Sequence, residues 1–179
     1  ELMSPAFSVK PEVVHLDELF EEIKGGQLRS PRFQRAFGWR PEAMRKLFES
    51  VVKGYPIGSL LIWEPGVRYE CLPRFGPIEQ TEPGPDRTDL SYVLDGQHRL
   101  GTLFGVTHVE GPPPEDTGRR LWWMWYDLEK EEFTHFPRGG VGPQHLPLRE
   151  MLGTTQFLAF CATLLKERPD DGKTLLERA

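Results

Sequence analysis

The chain has 179 residues, of which 38% are hydrophobic and 27% charged, with a formal net charge of −5. That composition suits one globular domain burying roughly two thirds of its unfolded surface, and the acidic balance argues against broad, non-specific attraction to phosphate backbones while leaving room for a local basic face between Arg29 and Lys46. The longest apolar runs, SLLIW and LWWMWY, are far too short for a membrane span, and nothing at the start reads as a signal peptide.

Two distant cysteines, Cys71 and Cys161, have no ligand-like neighbours and fit reduced thiols in a cytoplasmic protein. The abrupt start at Glu1 and the helix-like end KTLLERA read as a piece of something longer. HLDELFEEIKGG places Leu16, Leu19, Phe20 and Ile23 at helical spacing and closes on Gly25-Gly26. LRSPRFQRAFGW (28–39) has neither period and reads as an extended loop. Pro41 suits a first helical position, and the helix it opens carries Met44, Leu47, Phe48, Val51 and Val52 on one face up to Gly54.

IGSLLIWEP (57–65) predicts a buried strand, VRYECLPRF (67–75) a second strand able to pair with it, and the Pro/Gly-rich residues 76–89 a polar loop. LSYVL (90–94) is the next strand and QHRLGTLFGVTH (97–108) the next helix. Beyond the linker EGPPPEDTG, RRLWWMWYDL and EEFTHF predict a hairpin around Glu129–Glu132. PRGGVGPQHLP (137–147) reads as loop, and TTQFLAFCATLLKER (154–168) as an amphipathic helix capped by Thr154 or Thr155. Strands and helices mix without strict alternation, so an α+β domain with a small mixed sheet is favoured over a doubly wound one.

Two stretches carry chemistry. In VLDGQHRL (93–100), a helix starting near Gln97 would turn its free N–H groups and positive dipole end toward the strand's carboxyl end, a ready phosphate site. Gly96 lets a ligand approach the backbone, Arg99 can grip phosphate bidentately, Asp95 can hold a metal or water or simply cap the helix, and His98 can donate or move a proton. A capped strand-to-helix turn with solvated charges explains the same residues equally well. In SPRFQRAFGW (30–39), Arg32, Gln34 and Arg35 interleave with Phe33, Phe37 and Trp39, a mixture able to stack on bases and pair with phosphate. An ordered loop with aromatics inside and arginines outside is the plain alternative.

Other signals are weaker. LWWMWY reads as a core strand, and the histidines lack metal spacing. DGKT (171–174) mimics the end of a P-loop, but Glu167 stands where the first glycine belongs and a helix precedes it.

PRFQRAFGW, LFESVVKGYPIGSLLIW and VLDGQHRLGTL, in that order, resemble the N-terminal domain of GmrSD and SspE-type bacterial defence proteins, with their Pro-x-x-Gln-Arg-x-aromatic-x-Trp loop, Gly-x-Pro-Ile-Gly segment and DGQQR box. The resemblance spans residues 15 to about 128, within a single domain of 1–179 whose residues 129–179 add a hairpin and C-terminal helices. It implies a ParB- and sulfiredoxin-like fold, with a nucleotide site at a strand-turn-helix ending here in Gly96-Gln97-His98-Arg99. It also implies nucleoside triphosphate and Mg²⁺ as ligands, hydrolysis coupled to sensing foreign or modified DNA, and an HNH-type nuclease domain or subunit as partner. Nothing in this chain resembles an HNH motif.

His98 replaces the family's usual second Gln, and Gln97 stands where sulfiredoxin has its reactive Cys, which excludes that activity. On this reading Asp95, His98 and Arg99 are catalytic, with Asp95 also the metal ligand. Gly96, Gln97, His98, Arg99, Gln34 and Arg35 bind the nucleotide, and Arg32, Phe37 and Trp39 face DNA. The alternative is a non-catalytic module that recognises DNA or a modified nucleotide through the same phosphate pocket. A direct nuclease would need a carboxylate cluster that this spacing does not supply.

Overall fold

A computed structural model describes residues 10–35, 37–115 and 117–179. In chain order the elements are α1 (Leu16–Lys24), β1 (Leu28–Arg29), α2 (Pro41–Val52), β2 (Leu61–Trp63), β3 (Arg74–Phe75), β4 (Ile78–Glu79), β5 (Ser91–Asp95) and α3 (Gln97–His108). There follow α4 (Thr117–Arg120), β6 (Trp125–Asp127), β7 (Glu132–Thr134), β8 (His145–Pro147), a 3-10 turn (Leu148–Glu150), α5 (Thr154–Glu167) and α6 (Gly172–Leu176).

The fold is α+β, and its central sheet is small and mixed. β5 is the middle strand, parallel to β1 on one side and antiparallel to β2 on the other. A second sheet, β7-β6-β8, is antiparallel throughout, and β3 and β4 form a separate hairpin. α3 is buried on nearly every side from Leu100 to Val106, which makes it the central helix. It shares one core cluster with Phe20 and Ile23 of α1, Met44 and Phe48 of α2, Val93 of β5, and Phe75, Trp122 and Phe133. A smaller cluster joins Leu128 to Leu164 and Leu175 of the last two helices.

Several sequence expectations need correction. Residues 28–29 are a strand although too short to show a period, because β5 offers them a parallel edge. The segment 67–75 does not pair with β2; β5 occupies that edge, and 67–75 instead contributes a single bridge, Pro31 to Cys71, and then β3. The loops expected at 76–89 and 137–147 each contain a strand, β4 and β8. Val51 and Val52 are 41% and 65% exposed, because the last turn of α2 runs past the edge of the core. α5 is capped by neither threonine: Gly153 is its N-cap and no side chain bonds there. LWWMWY is core at Trp122, Met124 and Trp125, but only from Trp125 on is it a strand.

One buried titratable group gives the fold a pH limit. His135 is 3% exposed, and its Nε2 lies 3.3 Å from the Pro41 carbonyl, joining β7's end to α2. Burial holds its pKa below the ordinary 6.5. The unfolded chain therefore takes up a proton first, so stability is complete above pH 6.5 and is lost as pH falls from there toward the folded value. Urea titrations between pH 7.5 and 5 should show this loss, at most about 1.4 kcal/mol per pH unit from this group, and a His135→Gln variant should flatten it.

Candidate functional site

β5 ends at Asp95, whose side chain is 70% exposed. Gly96 then turns the chain with φ 87° and ψ 7°, a left-handed conformation costly for other residues. A Cβ there would stand 2.3 Å from Leu60 Cδ2, so that side chain would have to shift as well. α3 begins at Gln97, with Gly96 as N-cap and no side chain capping it. Its first N–H groups thus have no capping acceptor from a side chain, and the dipole's positive end opens at the strand's carboxyl edge. Asp95, free to cap in principle, bonds Arg99 instead.

Arg99 ties this turn to the segment before β2. Its Nη1 donates to the Ile57 carbonyl at 2.6 Å, and its Nη2 donates to Ser59 O at 2.8 Å and Asp95 Oδ2 at 2.9 Å. The guanidinium lies directly against Gly58, where a Cβ would come within 2.0 Å of Nη1 and where φ is 89°. The Gly-Tyr-Pro-Ile-Gly segment is therefore shaped to receive the arginine of the turn. Of Arg99's five N–H donors, three contacts are already made within the chain.

The loop from Pro31 to Arg40 covers the other side. Gln34 Nε2 donates to Leu94 O at 2.7 Å, pinning the loop to the end of β5. Phe37 packs on Trp122 with ring centroids 4.6 Å apart and lies 5.3 Å from His98. Trp39 stacks with His98 at 6.0 Å and an interplanar angle of 15°. His98 thus stands beside an aromatic wall. Next to it, Gln97 Oε1 is buried without a hydrogen-bond partner.

The structure brings Asp95, Gly96, Gln97, His98, Arg99, Gln34, Phe37 and Trp39 together. It separates the loop's own residues by exposure. Phe37 and Trp39 pack against the core cluster, whereas Arg32, Phe33 and Arg35 face outward, Phe33 at 64% exposure. Arg32 pairs with Glu70 at 3.1 Å. Ile57, Gly58 and Ser59 had no place in the sequence reading of the site, since two of them act through carbonyls; the glycine was the available signal. DGKT opens the short α6, where Arg168 holds the Asp171 carboxylate through Nε and Nη2. Among the described residues no group of three or more His, Cys, Asp or Glu side chains could hold a metal ion, and no helix is long and apolar enough to cross a membrane.

Comparison with known proteins agrees with this architecture. The model of the family described as GmrSD restriction endonuclease, N-terminal domain, matches residues 16–166, extending past the motifs into α5. No curated protein and no solved structure matches the chain. With most of its length matched, the chain belongs to the GmrSD restriction endonuclease N-terminal domain family and is a component of a restriction system.

Proposed function

We propose that the domain binds a nucleoside triphosphate at the Asp95–Arg99 turn and hydrolyses it. Hydrolysis would couple recognition of foreign or modified DNA to control of an HNH-type nuclease. The observation carrying this reading is the N-terminus of the 12-residue α3, entered through a left-handed glycine and uncapped by any side chain, with an exposed carboxylate on one side and His98, Phe37 and Trp39 on the other. Backbone N–H groups of Gln97 and His98 would meet phosphate oxygens. The aromatic wall offers a face for the base.

Asp95 fits Mg²⁺ as a single carboxylate ligand, since that ion takes one or two carboxylates and completes its shell with phosphate oxygens and water. When bound, the ion neutralises charge on the transferring phosphoryl group. Arg99 acts as a positioning residue that holds the turn and places Asp95. Arg32, Phe33 and Arg35 form the outward surface suited to DNA, with Gln34 linking that loop to the turn. ParB- and sulfiredoxin-like architecture belongs to this same reading.

One observation favours the second reading, a recognition module without catalysis: Asp95 and Arg99 neutralise each other within the turn. Binding and phosphate release with ATP, GTP and CTP plus Mg²⁺, with and without modified DNA, separate the two. Asp95→Asn keeps an acceptor for Arg99 but removes the charge, and should lower turnover about a hundredfold with a smaller effect on binding. His98→Ala should weaken nucleotide binding about tenfold. DNA binding with no nucleotide bound at high micromolar levels would end the hydrolase reading and leave the recognition module.

A further inference from the structure

Beside the segment that bridges Pro31, a cleft of about 390 Å³ is lined by Arg32, Arg68, Tyr69, Glu70, Cys71 and Glu82. Its outer charges cancel in pairs, Arg32 with Glu70 at 3.1 Å and Arg68 with Glu82 at 3.3 Å. Behind it lies Arg29 of β1, fully buried. Arg29 Nη1 donates to Thr81 O at 2.9 Å, while Nε and Nη2 have no hydrogen-bond partner. A buried guanidinium without an anion is among the least favourable arrangements in a protein interior. Cys71 lines the cleft and interacts with this charge; it is a free thiol whose Sγ donates to Tyr69 O at 3.3 Å.

We propose that Cys71 is a modification site, oxidised by hydroperoxides to the sulfinate, with the resulting anion held by Arg29. Two equivalents of hydroperoxide are consumed. In each step the sulfur attacks the terminal peroxide oxygen, an S–O bond forms, the O–O bond breaks and an alcohol leaves. One thiol and two hydroperoxides give one sulfinate, two alcohols and one proton, with sulfur oxidised and peroxide reduced. The sulfinate oxygens supply the acceptors that Nε and Nη2 lack.

Burial pushes the Cys71 thiol up, and Arg29 and Arg68 hold it down only in part while Glu82 opposes them. Oxidation is therefore slow at neutral pH, and Arg29 acts on the stability of the product rather than on the rate. Cys71 also sits at the root of the site loop. Its bridge to Pro31 is flanked by hydrogen bonds from Arg32 N to Glu70 O and from Leu72 N to Ser30 O, at 2.8 and 2.9 Å.

Folded protein held in excess cumene hydroperoxide should gain two oxygens at Cys71, shown by peptide mass spectrometry. In a Cys161→Ser background the oxidised protein should unfold about 4 °C or more above the reduced one, a shift absent from Cys71→Ser. Without any oxidant, Cys71→Asp should be more thermostable than Cys71→Asn, because only the carboxylate answers Arg29. No sulfinate at Cys71, an oxidised form that unfolds at the same or lower temperature, or an aspartate variant no more stable than the asparagine would each overturn the proposal.

Discussion

Replacing Arg99 with alanine is expected to lower the unfolding free energy by about 2–4 kcal/mol before any ligand is considered. The side chain is 21% exposed and makes three charge-assisted contacts, to Ile57 O, Ser59 O and Asp95 Oδ2. Its loss leaves two carbonyls of a glycine-containing segment without their donor. Lysine should recover less than half, since one ammonium cannot span acceptors that a planar fork reaches together. Gly58→Ala attacks the same contact from the other side. Its Cβ would press into Nη1 at a backbone φ of 89°, for an expected cost of about 2–3 kcal/mol. In the double variant the clash partner is gone, so the two losses should fall short of their sum by at least about 1 kcal/mol in urea unfolding. Additivity would show that the clamp does not exist in solution. Loss of nucleotide binding in Arg99→Ala therefore reports a disturbed turn as readily as a lost phosphate contact, whereas Asp95→Asn and His98→Ala leave the clamp's carbonyl contacts in place.

The second large effect lies at Asp127, a buried carboxylate that ties together the turn after β6. It is 2% exposed at the end of β6, where Oδ1 accepts from the N–H groups of Glu129 and Lys130 at 3.0 and 3.2 Å. Oδ2 lies 3.1 Å from Lys130 Nζ and 3.6 Å from His145 Nε2. Burial pushes the carboxyl up, but the Lys130 and Glu129 N–H groups and the Lys130 ammonium together outweigh it, so its pKa falls below the ordinary 3.8. Stability from this group is present above the unfolded value and is lost as pH falls through the folded one. Asp127→Ala should cost about 2–4 kcal/mol at pH 7, and Asp127→Asn should flatten the loss of stability below about pH 4. A steep acid limb retained in Asp127→Asn would move that sensitivity elsewhere.

How much of this was readable in the chain depends on where each partner lies. α3 runs from Gln97 to His108 as read, because strand, Asp-Gly and apolar run are all local signals. The hairpin of β6 and β7 was readable for the same reason. β8 was not, since its three residues pair across a Pro/Gly-rich stretch with no period of their own. The site's residue types were legible, but Arg99's role was not: it depends on carbonyls of Ile57 and Ser59, and a carbonyl leaves no trace in residue identity. Likewise Phe37 and Trp39 could be read as aromatic, while the wall they make beside His98 needed α3 and Trp122 in place.

The ties around the turn also bear on how the chain acquires its site. Gln34 reaches Leu94 across 60 positions, and Arg99 reaches Ile57 and Ser59 across 42 and 40. β5 itself joins β1 and β2, strands made long before it in the sequence. Such distant pairings close large loops, whose entropy cost these contacts must offset jointly. A molecule with an intact turn therefore has both earlier segments in place. For a protein that belongs to a restriction system, this links competence of the site to completion of the fold.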